Sequence, residues 1–290
     1  VPRLLTLLIL AALTACAPRT LPPAAPRAAD FIAGISADLP HATISRDGDG
    51  PITHNVITVC LHRPTTPLAT HRLSSLGLTL LTFDSRSHAL LVLDNEGGPG
   101  TGATSSKSAA QSSNAIAAIN GGFFTPEGHP LGLLYENGKK YGDLNTSSLG
   151  AGIYLHDPKS LPTALLRRSA WPRDHSSWPP QYLLQSGPFL LENSRPVSGL
   201  SSSRPRERSF LLWDGHSGWA LGHSSSTTLA DLAKTLATQP LPGFTIQHAL
   251  NLDGGSSADL WISPSVKGGP ASTRHLWNKN VRNYLVLNPR

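Results

Sequence analysis

Short apolar runs, each cut off by glycine, proline or a polar turn, limit what this chain can become. HNVITVCLH (54–62), SLGLTLLTFD (75–84), HALLVLDNE (88–96) and VRNYLVLNP (281–289) are long enough for strands and short for packed helices. The 26 glycines and 25 prolines supply the breaks, and charged residues make up only 14%, so many short elements joined by ordered loops are expected. Asn137-Gly138, between short extended arms at 131–142, is a strong local hairpin signal. RSFLLWDGHSGWALGHS (208–224) reads as strand, turn, strand. Helices are few. A short one is expected over 106–114, leading to a buried strand at 115–120. A clearer one lies in STTLADLAKTLATQ (226–239), where Leu229, Leu232, Ala233 and Leu236 form one apolar face and Thr228 with Asp231 resembles a capping box. Residues 158–182, with Pro162, Trp171, Pro172, Trp178, Pro179 and Pro180, read as an irregular surface excursion. The expected class is α+β: a single compact mixed α/β domain rich in strands, with 39% apolar residues to fill its core.

The start has a different character. VPRLLTLLILAALTAC carries one arginine, an apolar run from Leu4 to Leu13, and small residues before Cys16. That is the shape of a secretory signal peptide over 1–15, and the run is short for a membrane span. The Leu-small-small-Cys ending resembles a bacterial lipobox, which implies lipidation of Cys16 and a lipid anchor. Residues 16–53, rich in proline and alanine, then read as a tether, and 54–290 as the folded domain. Ala17 behind the cysteine resembles the pattern sorted to the outer membrane, so the expected location is the periplasmic side of that membrane or the cell envelope. Cys60, the only other cysteine, excludes a disulfide scaffold; in VITVCL it reads as a buried small hydrophobe rather than a nucleophile.

The net charge of +6 is scattered, densest at RRSAWPRDH (167–175) and SRPRERS (203–209). Without a nucleic-acid motif it suits anionic substrates or envelope polymers, and no nucleic-acid partner is expected. No P-loop, dinucleotide fingerprint or G-x-S-x-G elbow is present. His129, His216, His223 and His248 lie near polar tips without the spacing of a metal motif; His216 and His223 could meet between strands. Neither metal nor cofactor is expected.

Four stretches run from an apolar arm into a polar, glycine-containing tip: AINGGFFTPEG (118–128), LQSGPFLLE (184–192), RPRERSFLLWDG (204–215) and ALNLDGGSSADL (249–260). Gathered on one side of a sheet, such tips form sites. Asn120-Gly121-Gly122-Phe123-Phe124, Pro130-Leu131-Gly132, Asn137-Gly138, Ser186-Gly187-Pro188, Arg208-Ser209, the capped helix and Asn251-Leu252-Asp253-Gly254-Gly255-Ser256-Ser257 occur in an order and spacing that resembles the phosphodiester glycosidase family over about 75–288. That family includes the enzyme that uncovers lysosomal mannose-6-phosphate signals.

The resemblance implies a compact domain that hydrolyses a sugar-1-phosphodiester. Arg208 would clamp the phosphate through its planar guanidinium, with Ser209 in place of the usual threonine; the plainer alternative is one of three surface arginines in 204–208. Asp253 is the first carboxylate for acid, base or nucleophilic work, or it only closes an Asx turn on the Gly255 N–H. The N–H groups of Gly254, Gly255 and Ser256 could nest an anion, with Ser256 standing where many relatives have a third glycine. Asn120 would orient sugar or phosphate oxygens above Gly121 and Gly122, and Asn251 joins the binding set. Glu127 and His248 complete the catalytic candidates, with Asp214 and Asp259 as other second carboxylates. The expected activity is extracytoplasmic hydrolysis of the glycosidic C–O bond in a phosphodiester-linked glycan. A non-catalytic glycan-binding lipoprotein and a phosphodiesterase cleaving P–O are the alternatives.

Overall fold

The computed structural model describes residues 65–158, 161–171, 179–239 and 241–290. The leader, Cys16, the tether, the 54–62 strand and Cys60 lie outside the described residues.

The chain opens with β1 (Ala69–Leu73), β2 (Leu78–Asp84) and β3 (His88–Asp94), followed by α1 (Ser106–Ser112) and β4 (Ala117–Asn120). Five strands come next: β5 (Leu134–Glu136), β6 (Lys139–Tyr141), β7 (Gly152–Asp157), β8 (Leu161–Arg167) and β9 (Tyr182–Ser186). Then β10 (Phe189–Glu192), β11 (Arg195–Pro196), β12 (Arg206–Trp213) and β13 (Gly218–Thr227) lead to α2 (Leu229–Thr238). The last are β14 (His248–Asn251), β15 (Leu260–Ile262), β16 (Ala271–Ser272) and β17 (Asn283–Pro289).

These strands make three sheets, ordered β1-β2-β13-β12-β14-β10-β11, β16-β15-β4-β17-β3 and β6-β5-β9-β7-β8. Every strand pairing among the described residues is antiparallel. The molecule is therefore α+β by segregation, with helices laid on sheets rather than alternating with parallel strands. The amphipathic face of α2 packs Leu232, Ala233 and Leu236 against Leu80, Phe210, Leu212 and Ala220 of the first sheet. Alanines 109 and 110 of α1 pack against Ala118, Tyr284 and Val286 of the second. Tyr154 on β7 ties the layers together: its hydroxyl donates to the Leu90 carbonyl at 2.7 Å, and its ring meets Trp219 edge-on at 5.5 Å.

Local chemistry explains several elements. Thr228 accepts from the Asp231 N–H at 3.1 Å and donates its own proton to the Asp231 carboxylate at 2.7 Å, so the N-terminus of α2 is capped as its sequence suggested. Asn137 and Gly138 both adopt positive φ, 51° and 80°, which gives β5 and β6 the two-residue turn that matches strand twist. Part of the expected surface excursion is strand: Leu161–Arg167 pairs with β7, because its apolar residues 164–166 are buried there despite Pro162.

Candidate active site

The four polar tips meet. Asn120, at the end of β4, donates from Nδ2 to the Asp253 carbonyl at 2.8 Å. Its Oδ1 accepts from the Ser209 hydroxyl at 2.6 Å and from the Asp259 N–H at 3.0 Å. The Asp253 N–H returns to the Gly121 carbonyl at 3.0 Å, and the Leu252 N–H reaches the Ser209 carbonyl at 2.9 Å. From the remaining tip, the Ser186 hydroxyl donates to the Asn251 carbonyl at 3.0 Å, and Asn251 Nδ2 donates to the Gly187 carbonyl at 3.0 Å.

These bonds fix the roles of several residues. Asn120, Ser209 and Asn251 are buried, at 0%, 0% and 2% exposure, and each bonds through its side chain to protein. They are ties that hold the tips in register, where the sequence suggested substrate contacts. Gly121 and Gly122 are buried for a steric reason: a Cβ on Gly121 would lie 2.1 Å from Asn283 Oδ1, and one on Gly122 would lie 2.9 Å from the Gln185 carbonyl. The Gly122 N–H donates to that same Asn283 oxygen at 2.7 Å.

What faces solvent is the turn itself. Asp253, Gly254, Gly255 and Ser256 are all half-buried. The Asp253 carboxylate accepts from the Gly254 N–H at 2.9 Å and from the Ser257 hydroxyl, one residue short of the Asx turn that the sequence suggested. Burial outweighs these two hydrogen bonds and raises its pKa from 3.8 to about 6. The Gly254 N–H is thus already engaged. Gly255 has φ +63°, open to glycine at little cost, and a Cβ there would touch the Arg206 side chain at 3.3 Å. Gly254 is extended, but a Cβ would stand 2.8 Å from the Glu207 carbonyl and 3.7 Å from Arg208 Nη1, so the backbone passes very close to β12.

Arg208 therefore lies directly against the turn. Its Nε donates to the Thr227 carbonyl at 3.2 Å and its Nη2 to the Arg204 carbonyl at 3.2 Å. Burial and the neighbouring Arg206 lower its pKa. Among the described residues, no carboxylate forms an ion pair with Arg204, Arg206 or Arg208. A half-buried guanidinium with only carbonyl partners, beside two more cations, has the charge and the donors to receive an anion.

Glu207, which the sequence reading passed over, explains why the arginines stay unneutralised. Alternation along β12 turns its side chain away from Arg206 and Arg208, and its carboxylate lies 3.0 Å from His275 Nε2 and 4.0 Å from His223 Nε2. Burial lowers the His223 pKa to about 4, and the nearby His275 adds to the effect. The signal was present in R-x-R-E-R read with period two: the acid sits out of phase with the basic residues.

The other candidates are dispersed. His248 stacks on Trp213 at 5.4 Å at the opposite end of β14, about 16 Å of extended chain from Asp253. Glu127 is exposed on the loop between Phe124 and Pro130, where a hydrogen bond from Thr125 lowers its pKa. Asp214 accepts from the His216 and Gly218 N–H groups at 2.7 and 3.0 Å and closes the β12–β13 turn. Asp259 accepts from the Ser106 N–H at 2.7 Å and from Arg274 at 3.1 Å, beneath α1. His216 lies in the β12–β13 turn while His223 pairs with Ser209 far along β13, so the two do not meet. His129 lies on the Glu127 loop, and its side chain helps line the cleft described next.

A cleft of about 610 Å³ opens between the loops flanking the first tip, lined by Thr125, His129, Leu131, Asp143, Asn145 and Ser147 among others. Leu131 bonds through its N–H to the Phe123 carbonyl at 2.9 Å, which ties one wall of the cleft to the loop that follows Gly122. The loop behind it is held by Arg282, which pairs with buried Asp94 at 2.8 and 2.6 Å and donates to the Gly128 carbonyl at 3.1 Å.

Fold and site together make a strand-rich domain in which a glycine turn presents the Asp253 carboxylate and the neighbouring strand β12 brings Arg208 against that turn. The family profile described as phosphodiester glycosidase matches residues 113–288. The chain belongs to the phosphodiester glycosidase family. A comparison with curated proteins gives no match. Among solved structures, the catalytic domain of zebrafish N-acetylglucosamine-1-phosphodiester alpha-N-acetylglucosaminidase, auto-inhibited by its pro-peptide, superposes with a TM-score of 0.52 at 18% identity, over 78% of this chain and 82% of that one. A hypothetical protein from Synechocystis gives a TM-score of 0.49 at 16% identity, over 78% of this chain; the match spans 61% of the Synechocystis chain.

Proposed function

We propose that the domain hydrolyses a sugar-1-phosphodiester, breaking the glycosidic C–O bond. The observation that carries this reading is the position of Arg208 against Gly254, in the same turn that presents Asp253. The chemistry divides the work between them. The leaving group is a phosphate ester, which departs as an anion and gains most from a fixed cation. The attacking water needs a base, and a carboxylate with a pKa near 6 is a stronger base than an ordinary aspartate while still ionised at neutral pH. Water oxygen bonds to the anomeric carbon, its proton passes to Asp253, and the sugar C–O bond breaks with its electron pair leaving on phosphate. If Asp253 instead attacks carbon directly, the same geometry serves a two-step route.

The leader and Cys16 support an exported, lipid-anchored protein that meets this substrate in the cell envelope; incorporation of a labelled fatty acid, lost in Cys16→Ser, tests that placement. The activity is tested by offering the full chain N-acetylglucosamine-1-phosphodiesters and analogues with other sugars in oxygen-labelled water. Label in the released sugar supports C–O cleavage. Label in phosphate replaces it with P–O cleavage, and glycan binding without release replaces it with a binding lipoprotein.

A further inference from the structure

The turn at 274–279 presents two apolar side chains to solvent beside the Asp253–Ser256 turn. Leu276 is 104% exposed and Trp277 is 69% exposed, where the other exposed large hydrophobics among the described residues, Leu144 and Leu149, stay under 40%. Their presentation is fixed. Arg274 bonds to Asp259 at 3.1 Å and to the Asn278 carbonyl at 3.3 Å. Asn278 accepts from the His275 N–H at 2.7 Å and donates to the Ala258 carbonyl at 2.6 Å. The His275 ring stacks on one face of Trp277 at 4.5 Å, with only 6° between the planes, and reaches Glu207 at 3.0 Å. The turn is joined to the site: the Lys279 N–H donates to the Ser256 carbonyl at 2.8 Å, two residues from Gly254.

We propose that Leu276 and Trp277 form the subsite for an apolar aglycone, so that the preferred substrate is a sugar-1-phosphodiester whose far ester carries an alkyl or isoprenoid chain. The inference rests on the proposed phosphodiester site. An isolated exposed leucine means little, but an adjacent Leu-Trp pair on a braced turn, tied by the Lys279–Ser256 hydrogen bond to the turn that presents Asp253, is an apolar patch within one turn of that site. The bracing groups also choose between ligands. Asn278 and Arg274 bond to protein and His275 engages Glu207 through Nε2, so the groups that brace the tip are turned to protein rather than to a ligand. Apolar contact is what it has to give, and Trp277 keeps one ring face free for it.

The experiment measures binding and turnover on the full chain. Methyl, butyl and octyl phosphate are titrated by calorimetry, and the matching N-acetylglucosamine-1-phosphoryl esters are assayed for sugar release. Octyl phosphate is expected to bind at least about tenfold tighter than methyl phosphate, as burial of several methylenes implies. That preference should vanish in Leu276→Ser/Trp277→Ala, with methyl phosphate affinity unchanged. Both residues are exposed, so the fold is expected to tolerate the change. Equal affinity across the series, or a preference retained in the double variant, overturns the inference. So does an unchanged alkyl preference in a double variant that shifts from dimer to monomer by sedimentation, which would assign the patch to a second copy. An alkyl preference that depends on Trp277, with no ester hydrolysed, keeps the subsite and removes the glycosidase reading.

Discussion

The Ser209 hydroxyl donates to Asn120 Oδ1 at 2.6 Å, across 89 residues of sequence, with both side chains fully buried. This one bond joins the arginine strand to the first glycine tip, and Asn120 passes it on to the Asp253 carbonyl. Asn120→Ala would strand the Ser209 hydroxyl, the Asp259 N–H and the Asp253 carbonyl together. A loss of about 3 kcal/mol or more is expected by denaturant titration. Ser209→Ala leaves Asn120 Oδ1 its second donor and should cost about 1 kcal/mol, while Ser209→Thr keeps the hydroxyl and should be close to neutral. Equal costs for Asn120→Ala and Ser209→Ala would mean that the tie does not work as described.

Asp253 connects activity to stability with opposite signs. Its pKa is raised from 3.8 to about 6 because burial disfavours the charge. The folded state therefore binds its proton more tightly, so this contribution to stability is complete below pH 3.8 and is lost as pH rises through 6. Asp253→Asn is expected to abolish turnover yet raise stability at pH 8 by up to about 3 kcal/mol, with little gain at pH 4. Turnover in the unaltered chain should climb with pH about a midpoint near 6. Melting curves of both proteins at the two pH values decide it; a destabilised Asn variant at pH 8 contradicts the account.

His156 and His223 work in the other direction. Burial lowers both to about 4 from 6.5. The unfolded chain takes up their protons first, so stability contributed by the neutral forms is present above pH 6.5 and drains away as pH falls toward 4. An acid limb in that window, up to about 3 kcal/mol deep per histidine, is expected. His156→Gln should make it shallower. A limb of unchanged depth in that variant would place the titration elsewhere.

The two glycines of the turn should respond differently. Gly254→Ala sets a methyl 2.8 Å from the Glu207 carbonyl, a backbone atom with nowhere to go, and should displace the turn from Arg208. Gly255→Ala meets only the flexible Arg206 chain and strains φ, at about 1 kcal/mol. Phosphate binding by calorimetry should fall by about an order of magnitude or more for Gly254→Ala and little for Gly255→Ala. The reverse ranking would move the anion away from Gly254.

Arg208→Ala should weaken phosphate binding by roughly 30-fold, a loss of about 2 kcal/mol. Lysine should restore only part of it, because a point charge cannot offer the parallel donors of a guanidinium. Full retention by the alanine variant would remove Arg208 from the site.

Much of this was legible in the chain because it is written locally. The Thr228–Asp231 cap, the Asn137-Gly138 turn and the apolar runs ending in polar tips carry their own geometry. What the tips do for one another was not legible. Asn120 reads as a ligand-facing amide until β4 is seen to bury it against Ser209, and His248 reads as a neighbour of Asp253 until β14 is seen to be extended between them. The strand β8 was masked in a different way. Its apolar run Ala164-Leu165-Leu166 is short, and Pro162 in front of it signals a loop, while the pairing with β7 that buries the run is a tertiary fact.

Asn283, in the last strand, holds the Gly122 N–H, and β17 runs between β3 and β4 within its sheet. The first glycine tip thus waits for a residue 161 positions later in synthesis. Loop closure over such distances is slow. A chain still threading outward from its N-terminus can hold Asp253 and Arg208 and yet have no assembled site. Catalytic competence would then arrive in one step, when β17 enters its sheet, which makes turnover itself a clock for that insertion.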